Sequence, residues 1–123
     1  MELERIFKQV LDCSLTVHTE LGPGLLESAY QECLCFELQQ LGLRVEKQKP
    51  LPLVYKGVKL DVGYRIDILV ENLVVIELKS VDVLADIHMA QILTYLKLSG
   101  CKLGLLANLN VRHLKDGIKR VIL

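Results

Sequence analysis

One stretch limits what this chain can become. Residues 64–79 read Tyr-Arg-Ile-Asp-Ile-Leu-Val-Glu-Asn-Leu-Val-Val-Ile-Glu-Leu-Lys. Ile68–Val70 and Leu73–Ile76 are short apolar runs rich in branched residues, separated by Glu71-Asn72, which predicts two strands of a hairpin. The second strand closes on Glu77-Leu78-Lys79. Alternate strand residues share a face, so Glu77 and Lys79 project together while Leu78 points into the core. An acid and an amine at the end of so apolar a strand are costly to bury unless they pair or hold a ligand.

The register of this hairpin decides what Asp67 can do. A strict two-residue turn would set Asp67 opposite Ile76. A three-residue loop, Glu71–Leu73, or one β-bulge moves the pairing by one and sets Asp67 opposite Glu77. We expect the shifted register. Directly paired Cβ atoms lie roughly 5 Å apart, a spacing at which two carboxylates can share one divalent ion. The same residues would also suit a hairpin with a surface salt bridge.

The rest of the chain predicts elements around that hairpin. Ile6, Val10, Cys13, Val17 and Leu21, widened by Leu3, Phe7 and Leu11, make an amphipathic helix over residues 3–20. His18 near its end is either favoured there by the helix dipole or a functional group. Gly22-Pro23-Gly24 breaks the chain. A second helix is expected from Leu25 to Leu41, with an apolar stripe of Leu26, Ala29, Cys33, Leu34, Leu38 and Leu41 and with Gly42 closing it. Glu27 falls in its first turn, where the dipole favours an anion, one turn before Tyr30.

Residues 44–56 form an extended segment whose Pro50 and Pro52 confine it to an edge or bend it. Lys56-Gly57 turns the chain into a strand over Val58–Val70. There Arg65 shares a face with Asp67, placed to touch a phosphate or to pair with an acid. A third helix runs from Asp86 to Ser99 and ends at Gly100. Met89, Ile92, Leu93 and Leu96 form its core stripe, and His88, Gln91 and Tyr95 form a polar line beside it. Lys102–Ala107 reads as a central buried strand, Asn108–Asp116 as a polar loop and Gly117–Leu123 as a last strand.

A chain of 123 residues is expected to form a single domain over 1–123. Fifteen basic residues balance fifteen acidic ones, which argues against non-specific binding to nucleic acid through a broad basic field and leaves a local site open. No apolar run has transmembrane length and the charged N-terminus lacks a signal-peptide pattern, so no membrane role and a cytoplasmic location are expected. The four cysteines show no metal-ligand spacing and are expected to be reduced core thiols.

The order of elements, α-α-β-β-β-α-β-β, indicates an α/β fold with a mixed sheet. The motifs resemble the GxxExxY proteins of the PD-(D/E)XK nuclease superfamily. Gly24-Leu-Leu-Glu27-Ser-Ala-Tyr30 matches the naming motif, Asp67 with Glu77-Leu78-Lys79 the core motif, and Gln91-Ile-Leu-Thr-Tyr95 a Gln-x-x-x-Tyr element. The closing residues 114–123 resemble the family's end. The resemblance implies a restriction-endonuclease-like core and a metal-dependent nuclease. Asp67, Glu77 and the Leu78 carbonyl would bind Mg²⁺ or Mn²⁺, with Glu27 adding a carboxylate. Lys79 would stabilise developing charge and Gln91 would position Lys79 or the water. His18, Tyr30, Arg65 and Tyr95 would stand behind these groups or contact the phosphate. The implied partner is nucleic acid, DNA ahead of RNA, and a homodimer is expected. The competing expectation is a binding or assembly module that keeps the fold without turnover.

Overall fold

The structure, a computed structural model, describes residues 2–123. Three helices, α1 (Glu2–Leu21), α2 (Glu27–Gln40) and α3 (Asp86–Ser99), enclose a sheet of β1 (Val45–Tyr55), β2 (Val58–Val70), β3 (Val74–Lys79), β4 (Leu103–Asn108) and β5 (Ile118–Ile122). The five strands lie in chain order. All neighbours are antiparallel except β3 and β4, which run parallel with α3 as the crossover. The result is the α/β mixed sheet of a restriction-endonuclease-like fold.

The period of β3 builds the three layers. Val74, Ile76 and Leu78 are buried with the α1–α2 pair. Val75 faces the other way, into the cluster formed by Ile92, Tyr95 and Leu96 of α3. Glu77 belongs to the same alternate set as Val75 and is only 2 % exposed. A branched, uninterrupted apolar strand is what a sheet covered on both sides demands.

The hairpin loop is the three-residue one. Leu73 N–H donates to the Val70 carbonyl at 2.9 Å, and Glu71 and Asn72 both take left-handed backbone angles (φ 52° and 57°). Asn adopts that region readily. Glu71 is held there by its neighbour: its N–H bonds the Arg44 carbonyl and its carboxylate accepts the Arg44 N–H. Val70 therefore pairs with Val74 and Ile68 with Ile76, and one step further Asp67 stands opposite Glu77.

β4 is fully buried between β3 and β5, as expected of a central strand. Other expectations are corrected. Asn108 ends β4 and does not begin a loop. α2 starts at Glu27 and buries a line of Tyr30, Leu34, Cys35 and Leu38. Leu26 (76 % exposed) and Leu41 lie outside the helix, and Cys33 faces solvent. The stripe rotates because Tyr30, not Leu26, reaches inward. Its hydroxyl donates to the Gly22 carbonyl and accepts the Leu25 N–H at 3.3 Å, pinning the loop that precedes the helix. Of the cysteines, Cys13, Cys35 and Cys101 are buried as expected and Cys33 is not; none is bonded to another.

β1 is an edge strand with a register shift between Leu51 and Leu53, the bend that Pro50 and Pro52 predict. Together with the first half of β2 it forms a two-stranded arm in which every β2 residue from Val58 to Arg65 is exposed. Gly117 allows a close approach at the other end of the sheet. A Cβ there would lie 2.2 Å from the Asn108 carbonyl oxygen.

Candidate active site

Asp67 and Glu77 occupy the point where β2 and β3 part. The backbone ladder ends at Ile68–Ile76. Beyond it, each carboxylate takes the place of a ladder bond: Asp67 N–H donates to Glu77 Oε2 at 2.9 Å, and Leu78 N–H donates to Asp67 Oδ2 at 2.8 Å. Each strand thus holds the other strand's acid in place. In an extended strand a residue's N–H and C=O face the same neighbour, so the Leu78 carbonyl faces Asp67 too. The Lys79 carbonyl faces away and accepts the Leu109 N–H at 3.0 Å.

Two carboxylates confined this way resist ionisation. Burial pushes the Glu77 carboxyl up to about 8, and the adjacent Asp67 carboxylate adds to the shift. Burial also raises Asp67, offset in part by the Leu78 N–H and by Gln48. The Glu27 carboxylate pushes both upward and the Lys79 ammonium pulls both down.

Lys79 leaves β3 on the same alternation as Glu77 and its Nζ donates to Gln91 Oε1 at 2.7 Å. Gln91 Nε2 in turn donates to the Tyr95 hydroxyl at 3.2 Å, which orients the amide so that its oxygen meets the ammonium. This relay follows from i, i+4 spacing on α3. Lys79, Gln91, Tyr95, His88 and Tyr64 line an open cleft of about 480 Å³.

Glu27 approaches from the start of α2. Its Oε2 accepts the Ser80 N–H at 3.0 Å, while Ser80 Oγ donates to the Leu25 carbonyl at 3.0 Å. The acid is therefore tied to the residue after Lys79, three residues beyond Glu77. Among the described residues no three His, Cys, Asp or Glu side chains stand close enough to hold one metal ion. As placed, Glu27 does not close on Asp67 and Glu77 as a third direct ligand; its carboxylate is turned to the Ser80 N–H instead. The donor set that does gather is two carboxylates and one carbonyl. That set fits a hard divalent cation completed by water, and the raised carboxyls mark a site short of positive charge.

The remaining expected residues stand further back. His18 is buried, with Nε2 2.8 Å from the Val111 carbonyl and 3.1 Å from that of Leu109. Two acceptors at one nitrogen fix the proton on Nε2, and the ring ties α1 to the segment after β4 rather than to the carboxylates. The Tyr30 hydroxyl is engaged by the loop before α2, so its part is to set where Glu27 begins. Arg65 is exposed on the arm and makes no ion pair among the described residues.

Two supporting residues had no assigned place in the site. Gln48 sits at a left-handed kink in β1 (φ 51°), and its amide donates to Asp67 Oδ1 at 3.3 Å and to Gln31 Oε1 at 2.6 Å. Buried Asn108, paired with Lys79 across the parallel ladder, accepts the Val81 N–H at 3.1 Å and donates to the Val81 carbonyl at 2.9 Å. It shapes the chain leaving Lys79. A polar residue closing an otherwise apolar strand was the one sequence signal for it; Gln48 gave none.

No curated protein and no solved structure matches the chain. A family model does, over residues 4–121, which contain the hairpin, the cleft and every residue placed above. Nucleases of that family generally use divalent metals and act on nucleic acid. The chain belongs to the PD-(D/E)XK nuclease superfamily.

Proposed function

We propose that the protein is a metal-dependent nuclease that hydrolyses phosphodiester bonds of DNA. The observation that carries this reading is the reciprocal tethering of Asp67 and Glu77 beside an ammonium fixed by Gln91. Asp67, Glu77 and the Leu78 carbonyl would hold Mg²⁺ or Mn²⁺. When bound, the cation supplies Lewis acidity that activates water and screens the phosphate. Lys79 lies on the same strand face as Glu77, so its ammonium can meet a non-bridging phosphate oxygen and stabilise charge that grows there. Gln91 keeps that ammonium out of full solvation, and Tyr95 keeps Gln91 from turning over. Glu27 holds the Ser80 amide and so fixes the exit of the strand that carries Lys79. Arg65, at the foot of the arm, is free to meet the flanking phosphates.

The test is cleavage of linear and nicked DNA with Mg²⁺ or Mn²⁺, comparing wild type with Lys79→Ala. Cleavage by wild type that falls about 10²–10³-fold in the variant is expected for loss of a group that stabilises the transition state. Equal behaviour of the two, with no cleavage by either, sinks the catalytic claim for these substrates. One observation favours the second reading, a binding module without turnover: the lack of a third side-chain ligand among the described residues. Under that reading Mn²⁺ calorimetry detects no site that Asp67→Asn removes.

A further inference from the structure

Two exposed surfaces of this chain are both apolar and carry opposite charge. The first is the arm. Its register puts Tyr55 beside Val58 and Leu53 beside Leu60, so these share one face. Tyr55, Val58 and Leu60 are 58 %, 55 % and 40 % exposed. A two-stranded ribbon with its apolar face in water is marginal by itself. Lys56 and Lys59 stand at its tip, the first over the Tyr55 ring at 5.5 Å.

The second surface is a groove of about 310 Å³ between α1 and α2, floored by Val17, Leu21, Cys33 and Phe36 and edged by Glu20, Glu32 and Glu37. Phe36 is 57 % exposed. From residue 9 to residue 43 the chain carries five acids and no Lys or Arg. A neutral chain thus keeps an acidic helix pair and a basic arm apart. Glu32 is paired with Lys47, while Glu20 and Glu37 make no ion pair among the described residues. An acidic groove repels nucleic acid and favours an apolar, basic protein segment.

We propose that the occupant of this groove is the arm of a second copy of the chain, with Tyr55, Val58 and Leu60 against Leu21 and Phe36 and with Lys56, at the turn, brought to Glu20 and Glu37, while Lys59 on the other face of the ribbon adds to the positive charge of the tip. A chain's own arm cannot fill its own groove. Lys47 contacts Glu32 at the groove edge, and the strand then runs eight residues away from it, roughly 25 Å at strand rise. The contact is independent of the nuclease reading, since it uses no residue of the cleft.

Sedimentation of the whole chain across concentration, at low and high salt, tests it. Wild type forms dimers or larger assemblies that weaken with salt. Lys56→Glu/Lys59→Glu and Glu20→Lys/Glu37→Lys each weaken association at least tenfold, and mixing the two variants restores it, because both reversed surfaces then meet their complements. Lys56, Lys59 and Glu20 are exposed and Glu37 is half-buried at the groove edge, so far-UV dichroism is unchanged. As a second measurement, Val58→Cys forms an intermolecular disulfide with native Cys33 under mild oxidant, and Cys33→Ser abolishes it. A monomer at every concentration overturns the proposal. So does association indifferent to the charge reversals, or a mixture that fails to recover. Loss of DNA retention by the arm variant with its mass unchanged assigns the arm to nucleic acid and also overturns it.

Discussion

The two halves of β2 have nearly the same pattern and opposite fates. From Ile66 to Val70 the strand is gripped by β1 and β3 and mostly buried; from Val58 to Arg65 it has β1 alone and is wholly exposed. Asp67 lies at the boundary, where the second partner strand ends and carboxylates replace ladder bonds. The lesson is that the site is built where regular pairing stops. The buried half supplies rigidity, the opened ladder supplies the backbone N–H groups that hold the two carboxylates, and the exposed half stays available for a partner.

The largest expected effect separates chemistry from folding. Lys79→Ala lowers cleavage about 10²–10³-fold while the melting temperature hardly moves, measured by turnover assays beside thermal unfolding. Ile68→Ala, in the gripped half, does the reverse. It costs about 2–5 kcal/mol of unfolding free energy in urea melts, because a fully buried side chain leaves a cavity between the sheet and the helix pair. Gly117→Ala, where a Cβ meets the Asn108 carbonyl, costs about 1–3 kcal/mol by the same measurement. Leu60→Ser, on the arm, changes monomer stability by less than about 0.5 kcal/mol. A destabilisation there as large as that of Ile68→Ala would erase the distinction between the two halves.

Glu77 gives the comparison a pH signature. Its carboxyl ionises near 4.5 in the unfolded chain and near 8 in the folded one. Below about 4.5 both states hold the proton and Glu77 contributes nothing. Between 4.5 and 8 the unfolded state has released its proton and the folded state has not, so metal-free stability falls as pH rises; above 8 it levels. Glu77→Gln flattens that slope and is the more stable protein at pH 8 in chelator-treated urea melts. A slope that is unchanged by the substitution places the titration elsewhere.

How much of this was legible follows from physical cause. The hairpin, its shifted register and the polar line of Gln91 and Tyr95 were readable because period 2 and period 3.6 act through neighbours in the chain. The face of α2 was not: Tyr30 turns inward to satisfy the Gly22–Leu25 loop, a demand set by tertiary structure. Gln48 was invisible because its part depends on a kink opposite Asp67. The arm's exposure was equally hidden, since alternation looks alike whether or not something covers the apolar face. Glu27 marks the limit in the site. The resemblance implied a carboxylate added to the metal site of Asp67 and Glu77, yet which group it touches is decided by the Ser80 amide.

The most direct test is calorimetric titration of Mn²⁺ into chelator-treated wild type and Asp67→Asn at pH 7.5. The account predicts one site in wild type, bound with release of protons as Glu77 ionises, and its loss in the variant. Binding that is equal in both proteins, or absent from wild type, would contradict the claim that Asp67 and Glu77 together hold a divalent cation.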